Sequence, residues 1–316
     1  MIDCSLPRCR RFSFAHPWAH QWQRQRAGIL MEGRWYCSQE CLRDALEPLL
    51  REHARPEDPP RRAPVRLPLR LVLFERGIVT SEQLEAARQD RAANHPDEEF
   101  GDTLLRLGCA TETEVASARA VESGCPVYSG PAKFIPPALR LPDRLMRAFA
   151  AVPLCHVPVK GSPGRLFLGF GYRVHHGLVR AVETITGCQV EACLPTRTVY
   201  EEQLGCLLRT PASEDPGLAA PPISTMREEI LRQAVLSGAE SVRLGRAGPL
   251  LWVSLAGGPR DAHLLFDLAE VMDLTEVTPE TRETDTSSPR SGSRFQTKVT
   301  ARQTASSIQG TERVIS

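Results

Sequence analysis

The strongest constraint in this 316-residue sequence is an internal repeat between residues 67 and 127. A shift of 31 residues carries Leu69 onto Phe100, Leu73 onto Leu104, Gly77 onto Gly108, Thr80 onto Thr111, Leu84 onto Val115 and Ala87 onto Ala118. In each copy an apolar run, 69–74 or 100–105, ends at a glycine, the residue that takes the left-handed helix-ending conformation without steric cost. Three residues later, Thr80 or Thr111 is placed to accept from the free amides of a following helix, and acidic residues in that helix's first turn suit its dipole. Leu84 with Ala87, and Val115 with Ala118, then share one helix face that must be buried. The pattern predicts two helical hairpins side by side, a four-helix bundle.

These residues resemble the N-terminal domain of type II secretion and type IV pilus assembly ATPases, the GspE N-terminal or MshEN-like domain. The family's tandem motif runs Leu-Gly, Leu, Gly, an aliphatic pair, Ser or Thr, and Gln-Leu in the second helix. The first copy matches at Leu69, Leu73, Gly77, Ile78, Val79, Thr80, Gln83 and Leu84; the second matches at Gly101, Leu104, Gly108, Thr111 and Val115. The family's arginine before Leu-Gly falls on Pro68 and Glu99, its first-copy glycine on Arg70, and its terminal glutamine on Arg91 and Glu122. The resemblance implies a bacterial fold of this type and a protein partner from a secretion or pilus assembly machine. Because some members bind cyclic di-GMP, it also implies a ligand site at Leu69, Leu73, Gly77, Gly101, Leu104 and Gly108.

Ten cysteines matter because nothing else in the chain suggests an exported protein. No apolar run approaches the ~20 residues that span a bilayer, and the N-terminus lacks a charged segment followed by an apolar core. The expectation is a cytoplasmic protein, where cysteines bind metal or sit reduced. Cys4 and Cys9 form a C-x4-C pair and Cys37 and Cys41 a C-x3-C pair, which together supply the four thiolates of a structural zinc site. The phrase Tyr36-Cys37-Ser38-x-x-Cys41 resembles the second half of FCS or TRASH-type zinc fingers. His16 and His20, four apart, stand as alternatives to one cysteine.

The rest of the chain sorts by composition and period. Five prolines and alternating charge mark a linker over 54–66 and its edge. Strand-like 164–170, a helix over 176–186 ended by Gly187, strand-like 189–194 and a helix over 198–208 predict a small α/β layer, in the order of the family's second subdomain. After a Pro/Ala/Gly-rich break, a helix near 226–237 and strands near 241–244 and 250–255 look like the opening of the family's next domain. The phosphate-binding loop G-x-x-x-x-G-K-[ST] of that family's catalytic core does not occur in the sequence, and no enzyme activity is expected.

The expected class is α+β. The units are a zinc-binding finger (1–53), a Pro/Arg linker (54–66), a secretion-ATPase-like domain (67–209, with the repeat over 67–127 and the α/β subdomain over 128–209), a linker (210–222), a small remnant α/β domain (223–278) and a disordered tail (279–316). A net charge of +1 gives no general case for nucleic acid or an anionic membrane. The function expected is a non-catalytic adaptor or regulator that docks a protein. One alternative is a cyclic di-GMP receptor. The other is a zinc-dependent nucleic-acid binder using Arg8, Arg10, Arg11, Arg24 and Arg26 beside Trp18 and Trp22.

Overall fold

The computed structural model describes residues 4–7, 9, 28–55, 67–209 and 221–268. Residues 56–66 of the expected 54–66 linker, residues 210–220 of the expected 210–222 linker, both histidine alternatives, the basic and aromatic cluster, and the tail lie outside them. The architecture is α+β, and no helix among the described residues is long and apolar enough to cross a membrane.

A short hairpin, β1 (Ile29–Met31) and β2 (Arg34–Tyr36), leads into α1 (Gln39–Ala54). Ser38 caps α1 by accepting from the Cys41 amide. The repeat follows as α2 (Leu69–Glu75), α3 (Ser81–Asn94), α4 (Phe100–Arg106) and α5 (Glu112–Ser123). Gly77 and Gly108 both adopt φ of 67°, so each hairpin turns at its glycine. Thr80 and Gln83 exchange bonds of 3.2 and 2.8 Å, and Thr111 and Glu114 bonds of 3.3 and 2.8 Å, closing the same capping box twice. Val72, Leu73, Val79, Ala87, Leu104 and Ala118 are buried together in one apolar cluster fed by all four helices.

The α/β layer comprises β3 (Val127–Tyr128), α6 (Asp143–Ala148), β4 (Ala151–Val159), β5 (Ser162–Phe170), α7 (His176–Thr186), β6 (Gln189–Pro195) and α8 (Arg197–Leu208). Its sheet runs β3-β6-β5-β4. β5 and β6 are parallel, which requires the crossover that α7 supplies, while β4 and β5 form an antiparallel hairpin.

Last come α9 (Ile223–Ser237), β7 (Ser241–Ala247), β8 (Leu250–Ala256) and β9 (Ala262–Asp267), the strands forming an antiparallel meander. β1 pairs parallel to β7 with Leu30 opposite Ser241 and Met31 opposite Val242, so the sheet order is β2-β1-β7-β8-β9. The segments expected as a separate finger and a separate remnant domain therefore share one sheet. They also share one core, in which Met31, Leu42 and Leu46 of the first segment pack with Ile230, Val253 and Phe266 of the last. The opposite sheet face carries Ala247, Leu250, Trp252 and Leu265 into the core of the α/β layer. This is why β8 is apolar and buried on both faces. Gly245 permits the contact, since a Cβ there would stand 3.0 Å from the Ala181 backbone of α7.

Candidate functional site

The two copies of the repeat meet at a cleft of about 700 Å³. Leu69, Leu71, Phe74, Leu84 and Phe100 give it an apolar lining, and charged side chains surround them. The sequence positions that occupy the family's arginine (Pro68, Glu99), its first-copy glycine (Arg70) and its terminal glutamine (Arg91, Glu122) all line this cleft. Of the expected ligand-site residues, Leu69 does so as well. Leu73 and Leu104 are fully buried in the helical cluster instead. Gly77 and Gly108 form the helix-ending corners, and Gly101 is covered by the Arg119 guanidinium, so these three do not line the cleft.

The electrostatics of the cleft are close to neutral. Arg88 is held by Glu85 at 2.8 Å and Glu98 by Arg106 at 3.0 Å. Among the described residues no ion pair engages Arg70, Arg91 or Arg173, and the lining also holds Asp97, Glu99 and Glu122, which are in no ion pair either. Three positive charges against three negative ones favour a zwitterionic or mixed-charge surface over a bare polyanion.

Behind the cleft, Arg119 of α5 ties the second hairpin to the α/β layer. Its guanidinium donates to the Gly171 carbonyl at 3.1 Å, pairs with the Asp102 carboxylate at 3.4 Å and stacks 5.0 Å from the centre of the Tyr172 ring. Only 9% of the Arg119 side chain and 10% of the Asp102 side chain are exposed. The Tyr172 hydroxyl donates to Asp102 at 3.3 Å, and burial, reinforced by that carboxylate, pushes the phenol above its ordinary value. Asp102, Tyr172 and Arg173 were not singled out in the sequence. Their meeting depends on β5 ending beside α4, for which local sequence carries no sign.

The adjacent histidines at the start of α7 do not form a ligand pair. The His175 ring packs edge-on against Phe149 at 5.1 Å, and burial, with Arg173 and His176 nearby, lowers its basicity.

The four cysteines expected from spacing do converge. The Sγ atoms of Cys4, Cys9, Cys37 and Cys41 all lie within 4.8 Å of one another. Cys9 to Cys37 is 3.5 Å, and Cys41 lies 3.7 Å from both Cys37 and Cys9. A tetrahedron with metal–sulfur bonds of about 2.3 Å has edges of about 3.8 Å, so the residues fit a tetrahedral thiolate centre. Ser38 places Cys41 on the first turn of α1, and the Ser5 amide bonds the Trp35 carbonyl at 2.9 Å, holding the first cysteine loop against β2. Burial and the adjoining thiols push Cys37 up, and burial pushes Cys41 up. At Cys4 burial acts in the same sense but is outweighed by hydrogen bonds from the Leu6 and Cys37 backbone, which leave that thiol lowered.

No protein-family model matches the chain, and no curated protein matches it. Among solved structures the chain is similar to MshE with cdg, at 20% identity over 45% of this chain and 99% of that one, with a TM-score of 0.34. It is also similar to the N-terminal domain of XpsE in two crystal forms. One gives 21% identity over 43% of this chain and 91% of that one at a TM-score of 0.31; the other gives 22% over 46% and 98% at 0.25. The bound cdg belongs to the MshE structure.

Proposed function

We propose that this chain is a non-catalytic adaptor or regulator that docks a protein segment in the cleft between the two hairpins. The observation that carries the reading is an exposed apolar ridge on and before α2. Leu71 and Phe74, three apart on one face of α2, are 43% and 45% exposed, and Leu67, just before the helix, is 57% exposed. An apolar stripe beside balanced charge suits an amphipathic partner segment of mixed charge, whose apolar anchors would be buried and whose rim charges would set orientation. A component of a secretion or pilus assembly machine is the partner that the family resemblance implies. A structural zinc in the four-cysteine set, stapling the first segment to the sheet, completes this reading.

The test is photo-crosslinking in host cells. A crosslinking residue at Leu71 is expected to trap one discrete protein adduct that Phe74→Asp abolishes, while the same residue at Val159, 47% exposed on β4, traps none. Equal trapping at both positions, or none at Leu71, would overturn the reading.

The cyclic di-GMP reading is favoured by one specific observation: motif positions from both copies converge on a single cleft that holds three unengaged guanidinium groups. Calorimetry with cyclic di-GMP distinguishes it, and the informative variants are Arg70→Ala and Arg91→Ala. Changes at Gly77 and Gly108 would perturb helix ends rather than the cleft. Saturable binding lost in both arginine variants would replace the adaptor reading with a nucleotide-responsive one.

A further inference from the structure

A second cavity, of about 490 Å³, lies between residues 137–143, the end of α7 and the sheet face of β7, β8 and β9. It shares no lining residue with the cleft. One wall is apolar, with Leu139, Pro142, Met146, Ile185 and Leu207. The other is a row of polar side chains in register across three strands: Arg243 opposite Ser254, and Ser254 opposite His263.

Three features of the cavity call for an acceptor that the protein does not provide. Arg140 lines the cavity, and its Nε is buried with no hydrogen-bond partner among the described residues. A buried donor left unpaired costs roughly 1–3 kcal/mol, and more when it is charged, so native folds rarely retain one without a use. His263 accepts from Trp252 Nε1 through Nδ1 at 3.3 Å, which leaves Nε2 as the N–H of a neutral ring, the form that burial favours. Ser254 is only 7% exposed and sits between His263 and Arg243. Arg243 spends one nitrogen on the Ile185 carbonyl at 2.8 Å. Asp143 and Asp261 also line the cavity, but among the described residues neither pairs with Arg140 or Arg243.

We propose that this cavity binds a small amphipathic organic anion, a carboxylate or phosphate monoester on an apolar body, whose acceptor oxygens meet the Arg140 guanidinium, Ser254 and His263. The volume falls within the ordinary range of small-ligand sites, and the opposed apolar and donor-rich walls orient such a molecule. A free inorganic anion would leave the apolar wall unmatched, and a neutral apolar molecule would leave the donors unmatched.

The experiment uses the full chain, with benzoate and phenyl phosphate as probes and benzyl alcohol and inorganic phosphate as controls. Calorimetry is paired with the Nε–H resonances of ¹⁵N-arginine, Arg140 being assigned through Arg140→Lys. The expected result is saturable one-to-one binding of at least one of the two probes, with the Arg140 Nε–H resonance shifting on the same curve. Losing a charged hydrogen bond should weaken binding about tenfold or more in Arg140→Gln, while Arg70→Ala in the cleft leaves it unchanged. Ser254→Ala, a small change in a buried strand, should weaken it in the same direction and guards against misfolding of the arginine variant. No saturable binding of either probe, equal binding of benzyl alcohol, or undiminished binding in both Arg140→Gln and Ser254→Ala would overturn the proposal.

Discussion

Arg119→Met tests whether the charge pair behind the cleft holds the second hairpin to the α/β layer. The substitution keeps most of the aliphatic packing and removes the guanidinium. It leaves the Asp102 carboxylate, with 10% of its side chain exposed, without its ion-pair partner, so that Arg197 acts on it only through space. Removing one partner of a buried pair costs roughly 3–5 kcal/mol. The Tyr172 hydroxyl at 3.3 Å remains as one donor to the carboxylate, which argues for the lower end. Loss of the stacking on Tyr172 adds about 1 kcal/mol. The expected cost is therefore about 3–4 kcal/mol, and the double variant Arg119→Met with Asp102→Asn should be less destabilised than the single, at about 1–2 kcal/mol, because no charge is stranded. Hydrogen exchange in α4 and α5 reads the local opening free energy without requiring a single transition in a chain with several packed parts. A single variant costing under about 1 kcal/mol, or a double costing more than the single, would show that packing and the Gly171 carbonyl, rather than the carboxylate, anchor Arg119.

Two further outcomes follow from other parts of the molecule. Native mass spectrometry is expected to find one zinc per chain; Cys37→Ser should release it and speed amide exchange in β7 as well as β1, whereas zinc absent from the wild-type chain, or an effect confined to residues before 56, would refute the shared support. His53, His175 and His263 are all held below the ordinary histidine value, burial being the leading cause. Their unfolded rings bind protons first as pH drops through about 6.5, so the stability they contribute is complete above that value and declines towards the lower folded values. Thermal unfolding should show a loss on acidification that is shallower in His263→Gln, and an unchanged slope would refute the assignment to that ring.

The parts of the fold governed by short-range rules were legible in the sequence. The glycine corners, the two threonine caps and the helix ended by Gly187 each depend on a few neighbouring residues, and each formed where the local chemistry placed it. The cysteine spacings likewise pointed to four thiols that do converge. What stayed hidden depends on contacts between distant segments. β1 is three residues long, has no strong alternation, and owes its strand conformation to an edge supplied by β7. The repeat identified Leu69 and the positions around it, but the other five expected ligand residues lie off the cleft, two of them leucines, because a leucine that fills a helix interface and one that faces a ligand have the same local pattern. The row Arg243–Ser254–His263 could be read only once the strand register was known.

The shared sheet also explains why the first segment can be ordered at all. A hairpin of two three-residue strands buries too little surface to stand alone, and Met31 and Tyr36 are its only fully or nearly buried large side chains. Two supports act on it from opposite sides: the thiol set holds its cysteine-bearing loops together, and β7 supplies the parallel partner that fixes its register. The benefit runs in the other direction as well. Without β1, the β7 edge would expose unpaired amides and carbonyls beside apolar residues, an invitation to pair with another chain. α1 then covers the face that α9 alone leaves open, through Leu42, Leu46 and Leu50. A metal bound by four thiolates would thus stabilise the sheet built largely from the last described strands, although every one of its ligands lies within the first 41 residues.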